Sequence, residues 1–245
     1  MRHWLSSYGL LLRWNALRRR HELPLTLLLQ AGLAIGLMVG LSFLVPRIDD
    51  ATALFLATGA PVQGLITIGM VIAPQHVATT KLQGVFDFNR ALPVPRTAML
   101  AADTTVAMAI ALPGVVASIF VGWFQFDLHF RLSPLVLPAF LLVALTAVGI
   151  GYGIGYALRA EVTLLVCQAM LFFALMFSPI NFPPDRLPAW LADLHRVLPL
   201  TYMAQAVRET LVTPVTGVSG LPFLVLAAWC LAGLGLTYRV MTRRT

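Results

Sequence analysis

Long apolar runs alternate with short polar ones along this chain of 245 residues. Six runs, at about 24–45, 53–74, 98–122, 135–157, 162–180 and 221–240, are each close to the span length of a bilayer-crossing helix, roughly 20 residues. In lipid a helix satisfies its own backbone hydrogen bonds, so the pattern predicts an all-α integral membrane protein with six transmembrane helices in one domain over 1–245. Two polar stretches keep a helical period. In residues 2–22, Arg2, Ser6, Arg13 and Arg20 share one stripe, and Leu5, Tyr8, Leu12 and Ala16 another, widened by Trp4 and Leu11. This predicts an amphipathic interfacial helix with a preference for an anionic membrane surface. Residues 181–213 are punctuated by Pro183, Pro184, Pro188 and Pro199. They carry Leu187, Trp190, Leu191, Leu194, Val197 and Leu198 at three- and four-residue spacing, which predicts short helices at the membrane surface with Trp at headgroup level.

Composition agrees with this reading. The chain is 59% hydrophobic and 11% charged, where a soluble domain carries roughly 25% charged residues. The net charge of +7 invites a nucleic-acid partner, but the basic residues cluster at span ends as topology signals do, so none is expected. With the N-terminus cytoplasmic, twelve basic residues lie inside (Arg2, Arg13, Arg18, Arg19, Arg20, Lys81, Arg90, Arg96, Arg159, Arg239, Arg243, Arg244) and five outside (Arg47, Arg131, Arg186, Arg196, Arg208). That bias predicts both termini in the cytoplasm, the 75–97 loop on the same side, and residues 178–220 outside. The first apolar run is of span length and follows a basic segment, so it reads as a span and not as a cleavable signal. Gly32, Gly36 and Gly40, and the pairs Gly149/Gly153 and Gly151/Gly155, repeat at i+4. Such stripes let helices approach closely, within one bundle or between two subunits.

Most chemistry is missing from the pattern. The only lysine, Lys81, follows Thr80, so no Gly-Lys-Ser/Thr phosphate loop exists, and the glycine run 149–155 lies inside an apolar span. The histidines (His3, His21, His76, His129, His195) show no i+4 pairing, and Cys167 and Cys230 fall in spans; no metal site or disulfide framework follows. No enzyme is expected, and no cofactor bound by this chain. Asp103 lies about five residues into the third span. It reads as an interhelical hydrogen-bonding group or as part of an ion-coupled path. Gln63, Thr67 and Gln168, with Gln30, Thr104 and Thr105, either line a path or bond helix to helix.

Residues 78–91 form a short helical candidate with Leu82, Val85, Phe86 and Phe88 among Lys81, Asp87 and Arg90. Pro93 and Pro95 then force an extended turn before Arg96. Phe86 and Phe88 would anchor in a partner's pocket or lie in the headgroups.

These parts resemble the membrane subunits of ABC-2-type transporters, the type V exporter fold, over nearly the whole length. One motif is Ser178-Pro179, Phe182-Pro183, Leu187-Pro188-x-Trp190-Leu191 and Leu198-Pro199-Leu200-Thr201-Tyr202, followed by Ala206-x-Arg208. The other is Gly84 to Arg96, ending Leu92-Pro93-Val94-Pro95-Arg96. One departure is Lys81-Leu82-Gln83, where the family carries acidic residues before the glycine. The resemblance implies a coupling helix at 78–91 that docks on a separate ATPase through Lys81, Gly84, Val85, Phe86, Asp87, Phe88, Arg90 and Arg96. It implies re-entrant helices forming an outer gate with Phe182, Pro183, Leu187, Pro188, Trp190, Leu191, Pro199, Thr201, Tyr202 and Arg208. It further implies a second permease subunit, ATP and Mg bound by the partner ATPase, and a bacterial plasma membrane location. The cargo is expected to be an amphipathic drug, antibiotic or lipid, with polysaccharide or glycolipid export as the alternative.

Overall fold

The computed structural model describes residues 2–18, 20–21, 23–44, 50–84, 94–126, 128, 133–212 and 217–242. Its helices are α1 (Arg2–Arg18), α2 (Leu23–Leu44), α3 (Asp50–Ile66), a π-helical stretch (Thr67–Ile72) and α4 (Ala73–Leu82). They continue as α5 (Arg96–Phe126), α6 (Val136–Ala157), α7 (Ala160–Met176), α8 (Ala189–His195), α9 (Pro199–Leu211) and α10 (Gly220–Thr242). Five helices among the described residues are long and apolar enough to cross a membrane, and Ala160–Met176 is a shorter apolar helix. The fifth apolar run therefore ends early: Ser178-Pro179 breaks the helix, because the residue before a proline is driven out of the α region.

The second run behaves in the opposite way. Its helix continues from Thr52 to Leu82 as one apolar unit. Pro74 brings no N–H to that helix. The turn before it widens, and Ala73 N–H bonds Ile68 O five residues back, a pattern that relieves a missing donor without ending the helix. The unit is the most buried of the long helices and forms the bundle's axis. Residues 78–82, the start of the predicted coupling helix, are its last turn.

α6 lies between the axis and α10, and its glycines are split between the two. Gly149 and Gly153 face α10, where Gly233 meets the Gly149 backbone. Thr237 Oγ1 donates to Gly149 O at 3.0 Å, and Thr146 Oγ1 to Leu226 O at 3.2 Å. Gly151 and Gly155 face the axis instead; a Cβ on Gly151 would run into the Gly69 carbonyl, and one on Gly155 would press on Pro74. These i+4 repeats are packing surfaces inside the chain, where close backbone approach replaces a hydrophobic drive. On α2, by contrast, Gly32, Gly36 and Gly40 meet nothing within 4 Å.

α1 does not lie free. Trp4 Nε1 donates to Thr97 Oγ1 at 3.0 Å. Tyr8 and Thr105 share a hydroxyl bond at 2.9 Å, and Asn15 Nδ2 donates to Asp103 Oδ1 at 2.7 Å. The stripe containing Trp4, Tyr8 and Leu12, read from sequence as lipid-facing, is in large part the face that docks on α5.

Candidate functional site

The proline-punctuated element runs from Phe177 to Leu211. Its shape follows from prolines at helix starts. Pro183, Pro188 and Leu198 are extended residues that open the 3-10 turn Pro184–Arg186, α8 and α9, with Pro184 and Pro199 at first-turn positions, where a missing N–H costs nothing. Leu191 is buried at 2% exposure while Trp190 is 67% exposed, so α8 turns its aromatic outward. Phe182, Pro183 and Leu187 are half-buried, Pro188 is exposed and Pro199 is buried. Tyr202 hydroxyl donates to Arg196 O at 2.7 Å and closes the α8–α9 corner. Trp229 Nε1 of α10 donates to Val197 O at 3.1 Å in the same corner.

Arg208 holds this element to the axis. Its Nε donates to Thr58 Oγ1 at 3.0 Å and an Nη to Ile180 O at 2.9 Å. The guanidinium also lies 3.7 Å above the Phe55 ring centroid, a favourable cation–π geometry. These three partners are a hydroxyl, a carbonyl and a ring face. Burial pushes the guanidinium down to about 10, with the charge of Glu209 opposing the shift; it remains a cation at neutral pH. The planar fork reaches two acceptors at once, which a lysine ammonium cannot reproduce.

A second contact lies beneath α8. His195 is buried, stacks on Phe173 at 5.6 Å, and donates Nε2–H to Phe177 O at 2.9 Å, filling one of the last carbonyls of α7. Its Nδ1 is buried without a hydrogen-bond partner, as are Ser178 Oγ, Asn181 Oδ1 and Thr201 Oγ1. Burial holds the imidazole below its ordinary range, the Phe177 bond opposing, so the ring is neutral at pH 7. Asn181 sits against Gly59 of α3, where a Cβ would collide with it.

At the other end of the axis, Lys81 Nζ donates to Gly155 O at 2.7 Å, Tyr156 O at 3.1 Å and Leu158 O at 2.8 Å. The only lysine of the chain thus caps the carbonyl end of α6, where the helix dipole is negative. Gly84 follows at φ +72°, the left-handed conformation that ends helices and that glycine adopts without a Cβ penalty. Arg96 opens α5 and is half-buried. Val85, Phe86, Asp87, Phe88 and Arg90 lie outside the described residues.

The four path candidates occupy different settings. Thr67 Oγ1 donates to Gln63 O at 2.8 Å, and both amide atoms of Gln63 are buried without partners. Asp103 faces α1 through Asn15. Gln168 is exposed on α7. Sequence reasoning missed His195, Asn181, Phe55 and Thr58, and also Glu209. Glu209 accepts from Gln205 Nε2 at 2.7 Å and from Ser219 N–H at 2.6 Å, just ahead of the positive end of α10. Its donor partner Ser219 lies ten residues on, across residues 213–216, and no local pattern in the sequence marks the contact.

A family model described as ABC-2 type transporter matches residues 7–212. No curated protein matches the chain.

Proposed function

The chain belongs to the ABC-2 type transporter family, a multi-pass membrane component of an ABC transporter that works with an ABC ATPase subunit; on that premise we propose that it is the permease of an exporter moving an amphipathic drug, antibiotic or lipid-like cargo outward. In this reading the five long helices and Ala160–Met176 make six spans, both termini are cytoplasmic, and two such permeases pair around a central path. ATP and Mg belong to the ATPase, which docks on the loop after α4 through Phe86 and Phe88.

The observation that carries this reading is the continuous 50–82 helix. One end leads directly into the docking loop at Gly84. The other end is gripped by Arg208 of the outer element. A displacement imposed on the loop by ATPase closure travels along a rigid element to Thr58 and Phe55, and so to the gate around Trp190 and Tyr202. Packed helices switch between discrete arrangements, so a small push at one end becomes a changed opening at the other.

The test is the reconstituted complex with its ATPase. Replacing Phe86 and Phe88 with Asp is expected to abolish ATPase association and ATP-driven transport; association that survives intact overturns the docking assignment. Stimulation of ATP hydrolysis by amphipathic drugs is expected for the wild-type complex. Stimulation by glycans with no response to drugs overturns the cargo class and leaves the permease reading standing.

A further inference from the structure

The turn between α1 and α2 carries charge that neither the gate nor the docking loop uses. Arg18 donates an Nη to His76 Nε2 of α4 at 3.3 Å, and Arg20 Nε donates to His21 Nε2 at 3.0 Å. Arginine has donors and no acceptor. Each Nε2 must therefore accept, and each ring is the neutral tautomer with its proton on Nδ1. The corner thus presents the remaining guanidinium N–H groups and the Nδ1–H of His21, an array of donors. Residues 1–21 contain no Asp or Glu, and Glu22 is the first carboxylate of the chain.

Beside this corner α1 has a second apolar face. The face with Trp4, Tyr8 and Asn15 is docked on α5. Leu10, Trp14 and Leu17, at i, i+4 and i+7, form a separate stripe exposed at 69%, 60% and 54%. Exposed Arg13 flanks it on one side and Arg18 on the other. An apolar groove alone would accept any lipid tail. A stripe ending in a donor corner is complementary to a tail joined to an anionic phosphate.

We infer that the α1–α2 corner is a binding site for an anionic phospholipid, with the headgroup phosphate on Arg18, Arg20 and His21 and one acyl chain along Leu10, Trp14 and Leu17. Because α1 is bonded to α5 and Arg18 to α4, an occupied site braces both helices at the end where the axis meets its loop. The bundle is therefore steadier in anionic membranes than in zwitterionic ones. The inference concerns this chain's own surface and holds whether or not the exporter reading is right.

The full-length protein is purified and placed in nanodiscs of phosphatidylcholine with increasing phosphatidylglycerol. Lipid retention is read by native mass spectrometry, and unfolding by a thermal scan. Wild type is expected to retain phosphatidylglycerol over phosphatidylcholine and to unfold at higher temperature in its presence. Arg18→Ala and Arg20→Ala are each expected to weaken retention about 5-fold, and the pair about 30-fold, at roughly 1 kcal/mol per arginine near a charged headgroup. Arg159→Ala, an exposed arginine at the α6–α7 turn, serves as the control for diffuse surface charge. Undiminished retention in the double variant overturns the site. So does an equal loss on Arg159→Ala, which would mean a diffuse electrostatic surface. If the double variant does not fold, Leu10→Ser with Leu17→Ser tests the tail stripe, and undiminished phosphatidylglycerol retention there overturns the proposed seat.

Discussion

Lys81 ties one end of the 50–82 helix to a neighbouring helix and Arg208 ties the other, and the two ties differ. At the loop end the helix supplies the cation: Lys81 reaches across to three carbonyls of α6. At the other end the helix receives it: Arg208 arrives from α9 onto Thr58 and Phe55. Lysine is a compact charge on a flexible stem, and the carbonyl end of a helix accepts it in many geometries. Arginine is a planar fork, and its bonds to Thr58 and Ile180 fix the relative position of α9, α3 and the turn after α7. The loop end is therefore a tolerant tie and the Arg208 end a directional one.

The sharpest way to break the comparison is Arg208→Met. It removes two charge-assisted hydrogen bonds and a cation–π contact, and leaves Ile180 O without its donor. The expected loss is about 3 kcal/mol, with Arg208→Lys recovering little of it. Thermal unfolding in detergent, with protease sensitivity of residues 178–211, measures both variants. Full recovery by lysine would erase the distinction between the ends.

Lys81→Met comes next, at about 2 kcal/mol for a cation at a partly buried helix C-terminus. Here Lys81→Arg is expected to restore most of the stability, since any cation within reach serves. Amide exchange at residues 152–158 would report the fraying of α6. A Lys81→Arg protein as unstable as Lys81→Met would make the Lys81 tie as directional as the Arg208 one.

The smallest effect at neutral pH, and the one confined to a single end, is titration of His195. Its folded value is held below the ordinary imidazole range by burial, an unfolded imidazole lying near 6.5. Between those values the unfolded state binds the proton and the folded state does not. Stability is therefore complete above the ordinary value and falls as pH drops below it, until the folded ring titrates too. Amide exchange in 177–208 is expected to accelerate on acidification while residues 149–157 of α6 stay unchanged, and His195→Gln should flatten the response. Equal acceleration at both ends would show that acid loosens the bundle as a whole.

Much of the fold was legible because lipid imposes a local criterion. The apolar runs at 24–45, 98–122, 135–157 and 221–240 lie within two residues of helix starts, and the proline-broken stretch is a set of short helices with Trp190 exposed. Arg208 was legible as a residue of that element. Its partners were not: Thr58 and Phe55 lie about 150 residues away, and neither has a local signature. Lys81 was read toward a partner protein through the family resemblance; its acceptors are carbonyls 74 to 77 residues on. The glycines make the same point. The stripes on α2 and α6 have the same i+4 spacing, yet one is open and the other is packed on two helices.

By itself the sequence determined which segments belong in a membrane and that the chain breaks into short helices between Pro183 and Pro199, although not that the helix runs on through Pro74. Hydrophobic transfer and proline's missing donor act residue by residue along the chain, and no distant partner is needed to evaluate them. Only the tertiary structure decided which face of each helix meets protein and which meets lipid, and where the two half-buried cations find their acceptors. Inside a bilayer both faces of a span are apolar, so hydropathy does not distinguish them; close backbone approach and a few directed hydrogen bonds do, and those depend on residues that only folding brings together.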